Sequence, residues 1–193
     1  MRKLSLQQFA VSLDGYICEE GTEFWRLHLG VDDEEFDRYF TNALGRAGTH
    51  IMGTSTYLGM SAHWPKAADS ENPYVREIAR IMNDRPKVVF SQTLPTADWP
   101  EARIARGDTA EEIARLKQEP GGEIVAHGGA RFVQSLARLE VVDEYRLYVY
   151  PFAVGSGTSL FGKLDRPQAL RLLSSTTFPS GVIEVIYERI PRG

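Results

Sequence analysis

The sequence has few of the residues that build disulfides and metal centres. Its 193 residues include one cysteine, Cys18, so no disulfide can form within the chain, which is typical of the reducing cytoplasm. The four histidines, His28, His50, His63 and His127, lack the His-x-x-x-His or paired-cysteine spacing of a metal site. We therefore expect no metal and no catalytic thiol.

Long apolar runs and an excess of positive charge are also missing. No stretch approaches the ~20 apolar residues of a membrane span, and the basic start of the chain has no signal-peptide core or cleavage site. The net charge of −4 argues against a broad basic surface for nucleic acid. With 42% hydrophobic and 25% charged residues, the chain is predicted to be a soluble cytoplasmic protein, folded as one domain over residues 1–193.

Signatures of hydrolases and of P-loop enzymes are absent as well. No Gly-x-Ser-x-Gly motif occurs, and the segment 155–159 (GSGTS) lacks the lysine and the spacing of a P-loop. It also lacks the third glycine of a dinucleotide fingerprint. We interpret this segment as a turn that follows a strand ending at Pro151.

The most informative stretch that is present is a strand at 123–127, followed by Gly128 and Gly129 and by a helix that begins at Ala130. Glycine lets the backbone approach a ligand closely, and the start of a helix carries partial positive charge. This arrangement suits a phosphate group and indicates a nucleotide cofactor. A tight turn without any ligand is the alternative.

Hydrophobic periodicity predicts strands that alternate with helices. Strands are predicted at 3–11, 49–52, 87–91, 103–105, 123–127, 144–151, 169–174 and 182–189, helices at 32–46, 72–83, 109–118 and after Gly129, and a surface loop at 64–73. Alternation implies a mostly parallel sheet covered on both faces, and the last two strands are expected to pair antiparallel at an edge. The loops after Val11, Met52, Ser91 and His127 should converge on one site.

Five segments carry a resemblance to a known family. They are SLDGYI (12–17), IMGTSTY (51–57), PKVVFSQTL (86–94), HGGARFVQSL (127–136) and VVDEYRLYVYPFAVGSGTSLF (141–161). In this order they resemble the dihydrofolate reductase-like superfamily, most closely the C-terminal reductase domain of the bifunctional riboflavin-biosynthesis deaminase/reductase. The resemblance implies a three-layer α/β/α fold with a mostly parallel central sheet and an antiparallel C-terminal edge strand. It also implies a homodimer.

The resemblance further implies an NADPH site. Its nicotinamide end would meet the main chain of Ala10 and a mobile loop with Asp14, Gly15 and Ile17. The residues implied at the phosphates and the adenosine are Gly53, Thr54, Ser55, Thr56, Ser91, Gln92, Thr93, Gly128, Gly129, Ala130 and Arg131. Hydroxyls and free N–H groups at helix starts suit phosphate, and Arg131 adds charge.

Two positions depart from the family pattern. Thr54 stands where the family usually has an arginine that grips the 2′-phosphate of NADPH, so NADH is possible unless Arg103 or Arg106 compensates. His127 stands where the riboflavin-type domains often have glutamate.

The candidates for chemistry each have a structural alternative. His127 is a candidate proton donor or a structural histidine, and Asp32 is a candidate catalytic or substrate-binding acid or a surface residue of a first helical turn. Trp25, Phe36 and Tyr57 are candidates to stack on a flat substrate or members of the core.

The sequence therefore predicts an oxidoreductase that transfers hydride from NADPH to a pterin, pyrimidine or related heterocycle. No His-x-Glu…Pro-Cys-x-x-Cys deaminase signature is present, so the bifunctional riboflavin enzyme is not expected. The alternative is a non-catalytic nucleotide-binding or sensor protein on the same fold.

Overall fold

A computed structural model describes residues 1–190 as eight strands and six helices around one sheet. In chain order the elements are β1 (Leu4–Ser12), α1 (Glu23–Leu29), α2 (Glu34–Leu44), β2 (Ala47–Gly53), α3 (Thr54–Ala67), α4 (Pro73–Asp84), β3 (Lys87–Phe90), β4 (Ala102–Ala105), α5 (Thr109–Gln118), β5 (Glu123–His127), α6 (Ala130–Arg138), β6 (Glu144–Tyr150), β7 (Leu170–Thr177) and β8 (Ile183–Arg189).

The sheet has the strand order β4-β3-β2-β5-β1-β6-β8-β7. Strands β1 to β6 pair in parallel, whereas β8 runs antiparallel to both β6 and β7. The expected mostly parallel sheet with an antiparallel C-terminal edge is confirmed. The edge strand is β7, because β8 inserts between β6 and β7.

The helices form a layer on each face of the sheet. One core cluster joins Leu6 and Ile51 to apolar side chains of α5 and α6, such as Ile113 and Val133. On the opposite face, α1, α2 and α4 contribute to two further clusters, one of them rich in aromatic rings. Because both faces are covered, nearly every residue of β1 is buried, including the polar Ser5, Gln7 and Gln8.

The predicted helix at 109–118 is confirmed with the bounds Thr109–Gln118. Its N-cap is Asp108, whose carboxylate accepts from the backbone N–H groups of Ala110 and Glu111. The acid-rich helix α2 is likewise present, with Asp33 as N-cap.

The predicted loop at 64–73 is wrong over its first residues, because α3 continues to Ala67 with Pro65 inside it. Pro65 lies in the last turn of α3, where its fixed φ is compatible with the helix but its missing N–H removes one backbone hydrogen bond. Helix α1 was not predicted, because its seven residues are too few for a clear period. None of the helices described in residues 1–190 is long and apolar enough to span a membrane.

Candidate functional site

The starts of α3 and α6 meet at the carboxyl ends of the parallel strands. Helix α3 follows β2 directly, and α6 follows β5 after Gly128 and Gly129. The Thr56 hydroxyl donates to the Gly128 carbonyl oxygen at 2.5 Å, and a Cβ on Gly53 would lie 3.1 Å from Cβ of Phe132. Two positive helix ends are thereby brought side by side, which is an arrangement suited to a pyrophosphate.

Gly129 is the N-cap of α6 and has a φ of +96°. That left-handed backbone favours glycine, and a Cβ there would overlap the Thr56 hydroxyl. The double glycine is therefore required both by its backbone conformation and by the closeness of α3. Ser55 and Arg131 are exposed near the two helix starts, and Ala130 is half-buried.

The loop after β3 is tied to the start of α3 through hydroxyl groups. Thr54 donates to Oγ of Ser91 at 2.8 Å, and Oγ of Ser91 accepts from the backbone N–H of Leu94 at 2.9 Å. Gln92 and Thr93 are exposed on this loop. Thr54, the replacement for the family arginine, thus positions the loop.

Two arginines lie near this loop. Arg106 donates to the carbonyl oxygens of Gln92 and Leu94, at 3.3 and 2.6 Å, and its side chain is exposed. Arg103 is instead engaged with Glu112 of α5. Arg106 is therefore the cation that the structure places beside the residues 91–93.

The segment 12–17, for which the resemblance implies mobility, is fastened to the segment 152–160. The Asp14 carboxylate accepts from the backbone N–H groups of Gly155 and Val154, at 2.7 and 3.2 Å, and from the Ser12 hydroxyl at 2.6 Å. These bonds lower the pKa of Asp14 to about 2, the bond from Ser12 contributing most. Asp14 is thus an anchor within the protein.

Neighbouring backbone groups of this segment are also paired. Ile17 N–H donates to the Thr158 carbonyl oxygen, and the Ala10 carbonyl oxygen accepts from the Cys18 N–H. Gly15 has a φ of +86° in the tight turn. The main-chain oxygen of Ala10 therefore already accepts one hydrogen bond within the protein.

His127 is paired with a second histidine that sequence reasoning missed. Its Nε2 lies 2.7 Å from Nδ1 of His50, which is 77 positions away in the chain. Burial lowers the pKa of His127 to about 4, and burial followed by the nearby charges of His127, Lys87 and Arg85 lowers that of His50 well below its usual value. Both rings are neutral near neutral pH.

The aromatic candidates divide between a surface and the core. Tyr57 is buried among the residues of the α3–α4 cluster, and its hydroxyl accepts from the Trp99 backbone N–H. Phe36 is buried beneath Phe9. For these two residues the structure supports the core alternative, and a ligand has no access to either ring.

A shallow aromatic surface lies at the end of β1. Trp25 of α1 is half-buried, with its ring centroid 4.7 Å from that of His28, and Phe9, at 39% exposure, contacts His28 and Phe40. Sequence reasoning missed Phe9, although an aromatic residue in a strand of otherwise buried residues was a usable signal. The adjacent Cys18 thiol is protonated, because burial raises its pKa to about 11.

The acids at the start of α2 differ in their surroundings. Asp32 is exposed and precedes the helix, whereas the carboxylate of the N-cap Asp33 accepts from the N–H groups of Phe36 and Ser180. Asp37, one turn later, is half-buried, and burial followed by repulsion from Asp32 and Asp33 raises its pKa. It is near enough to Tyr150 to contribute to the raised pKa of that phenol.

Within residues 1–190 no group of three His, Cys, Asp or Glu side chains is arranged to hold a metal ion.

The family model of the RibD C-terminal domain matches residues 5–183. The chain belongs to the RibD C-terminal domain family.

Two curated relatives come from Bacillus subtilis (strain 168). The protein YyaP is 30% identical over 179 residues, which cover 92% of this chain and 90% of YyaP. The protein YwjB is 29% identical over 183 residues, 94% of this chain and 96% of YwjB.

Solved structures confirm the dihydrofolate reductase-like fold. Dihydrofolate reductase from Enterococcus faecalis, in complex with NADP(H) and RAB-propyl, superposes with a TM-score of 0.63 at 16% identity, covering 98% of this chain and 97% of that one. The deaminase/5-amino-6-(5-phosphoribosylamino)uracil reductase of Thermotoga maritima gives a TM-score of 0.66 at 13% identity, covering 98% of this chain but 57% of that longer one. A Shewanella sp. PV-4 protein, described as a candidate riboflavin biosynthesis protein, superposes with a TM-score of 0.73 at 23% identity. The match covers 99% of this chain and 100% of that one.

Proposed function

We propose that this protein is an NADPH-dependent reductase that transfers hydride to a pterin, pyrimidine or related small heterocycle. The observation that carries the proposal is the meeting of the α3 and α6 helix starts at the Thr56–Gly128 hydrogen bond. It is supported by membership of the RibD C-terminal family and by the NADP(H) bound to a protein of the same fold.

The residues at the helix junction fit a dinucleotide. Backbone N–H groups at the starts of α3 and α6 would hold the pyrophosphate, with Arg131 adding a positive charge. Residues 91–93 would lie along the adenosine, where Arg106 would meet a 2′-phosphate in place of the missing arginine. When bound, NADPH supplies the hydride.

The chain itself would orient the substrate and exclude water. The anchored segment 12–17 would cover the nicotinamide end, and Trp25 with Phe9 would offer aromatic surface to a flat ring. Among the acids, Asp37 suits a substrate amino group or ring N–H better than Asp32 does, because it is half-buried and its pKa is raised. His127 would contribute through Nδ1, its nitrogen not bonded to His50.

A non-catalytic nucleotide sensor is the second candidate. It is favoured by Thr54, whose hydroxyl is bonded to Ser91 and whose position offers no guanidinium to a phosphate. Such a protein would bind the nucleotide without oxidising it in the presence of any heterocycle.

We further propose a homodimer that forms through the edge strand β7. The support is the family resemblance together with two exposed leucines on that strand, Leu172 at 51% and Leu173 at 45% exposure. An edge strand with unpaired backbone groups and apolar side chains is a natural surface for a second copy.

The deciding experiment is titration of the purified protein with NADPH and with NADH, followed by calorimetry. Tight binding of NADPH, followed by its oxidation in a screen of pterin and pyrimidine substrates, is the expected result. Binding without turnover of any substrate would favour the sensor. Binding of neither nucleotide would refute both candidates.

A further inference from the structure

His50 and His127 form a hydrogen-bonded pair that is built into the sheet. Their rings lie 4.9 Å apart between centroids, at an interplanar angle of 45°. Strands β2 and β5 are neighbours, and the register places His50 opposite Val125, two positions before His127. Because alternate residues of a strand point to the same face, both imidazoles lie on one face of the sheet.

A single proton lies between the two rings. Both imidazoles are buried and neutral, so each has one N–H and one bare nitrogen. Either Nδ1 of His50 donates to Nε2 of His127, or the donation runs the other way. The two cases leave different groups on the outer nitrogens, which are Nε2 of His50 and Nδ1 of His127.

The surroundings of His50 decide between the two cases. Its Nε2 is buried without a hydrogen-bond partner within the described chain. The charges that act on this ring from outside the pair are both positive: Lys87, its register partner on β3, and Arg85. A positive potential favours a bare lone pair over an N–H at that buried nitrogen. His50 therefore keeps its proton on Nδ1 and donates it to His127.

The other neighbours of His127 do not reverse this assignment. On β1 its register partner is Gln7, a neutral amide, and the next residue across the sheet is Arg146, whose guanidinium is paired with the carboxylates of Glu144 and Glu184. Burial is the cause of the lowered pKa of His127. His127 keeps a small accessible area of 7%, and Gly128, which follows it at the end of β5, is half-buried.

We propose that His50 is a positioning residue that holds His127 as one neutral tautomer, with the proton on Nδ1. His127 then presents a fixed hydrogen-bond donor at the carboxyl end of β5, throughout the neutral pH range. Such a donor recognises a carbonyl oxygen or a bare ring nitrogen, as found in a carboxamide or a heterocyclic lactam. The inference rests on the proposed reductase function only for the identity of that ligand.

The test is 15N–1H correlation NMR on protein labelled at its histidines, with no nucleotide or substrate added. Wild-type His127 is expected as the Nδ1–H tautomer. His50→Asn keeps an N–H donor near the position of Nδ1 and should preserve that tautomer. His50→Leu removes the donor and should give a mixture of tautomers, while burial still keeps the pKa of His127 low.

An Nε2–H tautomer in the wild type would overturn the inference. So would an unchanged tautomer in His50→Leu, once near-UV circular dichroism has shown that this variant keeps the native fold. The reductase proposal can fail independently of this inference. It fails if the wild type shows the expected His127 tautomer but does not bind NADPH. Where NADPH binds, its affinity should be flat across neutral pH in both proteins, because burial keeps His127 neutral in each.

Discussion

Thr56 and Gly128, 72 positions apart, join the starts of two helices through one hydroxyl-to-carbonyl hydrogen bond of 2.5 Å. The bond leaves no room for a side chain on the following residue, Gly129. Backbone N–H groups from both helices are thereby held toward the same region. Small changes at this junction should therefore act on nucleotide binding more than on the rest of the fold.

Gly129→Ala should lower NADPH affinity by at least about tenfold, because a side chain at a φ of +96° must displace Thr56 or the start of α6. Calorimetric titration measures the effect. Gly59→Ala, in α3 and facing open space, is the matched control and should bind normally. Gly157→Ala also changes a glycine with positive φ, but away from the junction, and should weaken binding less. Equal affinities in the Gly129 and Gly157 variants would contradict the assignment of the junction.

Arg106→Ala should weaken NADPH binding by about tenfold or more while leaving NADH binding nearly unchanged, because a charge-assisted contact to the 2′-phosphate is lost. Parallel titrations with the two nucleotides provide the readout. Arg103→Ala is the control, since the Arg103 guanidinium is engaged with Glu112. A similar loss of affinity for both nucleotides in Arg106→Ala would show that Arg106 only supports its loop.

Asp14→Asn should loosen the segment 12–17. The backbone amides of Val154 and Gly155 should exchange with solvent roughly tenfold faster, because a charged acceptor is replaced by a neutral one. Hydrogen-exchange NMR is the measurement, and the exposed Asp32→Asn is the control. Unchanged exchange at both amides would mean that the anchor is not needed.

The pH dependence of this anchor has a definite sign. The pKa of Asp14 is lowered from 3.8 to about 2 in the folded protein. The stabilisation that its ionised carboxylate provides is therefore fully present above pH 3.8 and is lost as the pH falls through 2. The difference in amide exchange rate at Val154 and Gly155 between wild type and Asp14→Asn should therefore shrink as the pH falls from 3.8 to 2.

Lys87→Met should destabilise the protein by about 1–3 kcal/mol, because the ammonium donates to three carbonyl oxygens at the end of α4. These are the oxygens of Met82, Asn83 and Arg85, at 2.8, 3.0 and 2.6 Å. Urea unfolding measures the change, and the exposed Lys66→Met should stay within about 0.5 kcal/mol of wild type.

Burial lowers the pKa of Lys87 from 10.5 to about 8, so between these values the unfolded chain binds more protons than the folded one. Wild type should therefore gain stability relative to Lys87→Met as the pH rises through this range. A difference in the free energy of unfolding that stays constant with pH would indicate that Lys87 has an ordinary lysine pKa.

Leu172→Glu combined with Leu173→Glu should convert a dimer into a monomer, because charges on the edge strand oppose pairing with a second copy. Analytical ultracentrifugation distinguishes the two states. Leu58→Glu, on an exposed face of α3, is the control. A wild type that is monomeric at high concentration would rule out the proposed interface.

Most of the fold could be predicted because each central element follows a clear rule. The helix after Asp108 has a capping residue and a regular apolar period, and the strand at 123–127 is short and apolar. Helix α1 and the end of α3 could not be predicted, since a short helix shows little period and Pro65 signals a break that tertiary packing overrides.

The candidate site could be predicted only in its backbone features. The two glycines and the helix starts stand in the sequence as motifs, whereas the partners of individual side chains do not. That His127 meets His50, or that Asp14 meets Gly155, depends on which strands and loops become neighbours in the sheet. Burial, which sets the protonation of both histidines, is likewise a property of the folded chain.

The position of β8 between β6 and β7 has a consequence for the order of assembly during synthesis. A ribosome releases residues 144–150 and 170–177 before residues 183–189, so the outer backbone groups of β6 have no partner until β8 arrives. In that interval a nascent chain exposes a template for pairing with other chains. We expect polypeptides arrested before residue 183 to aggregate, and chaperones to be needed most at this late stage of translation.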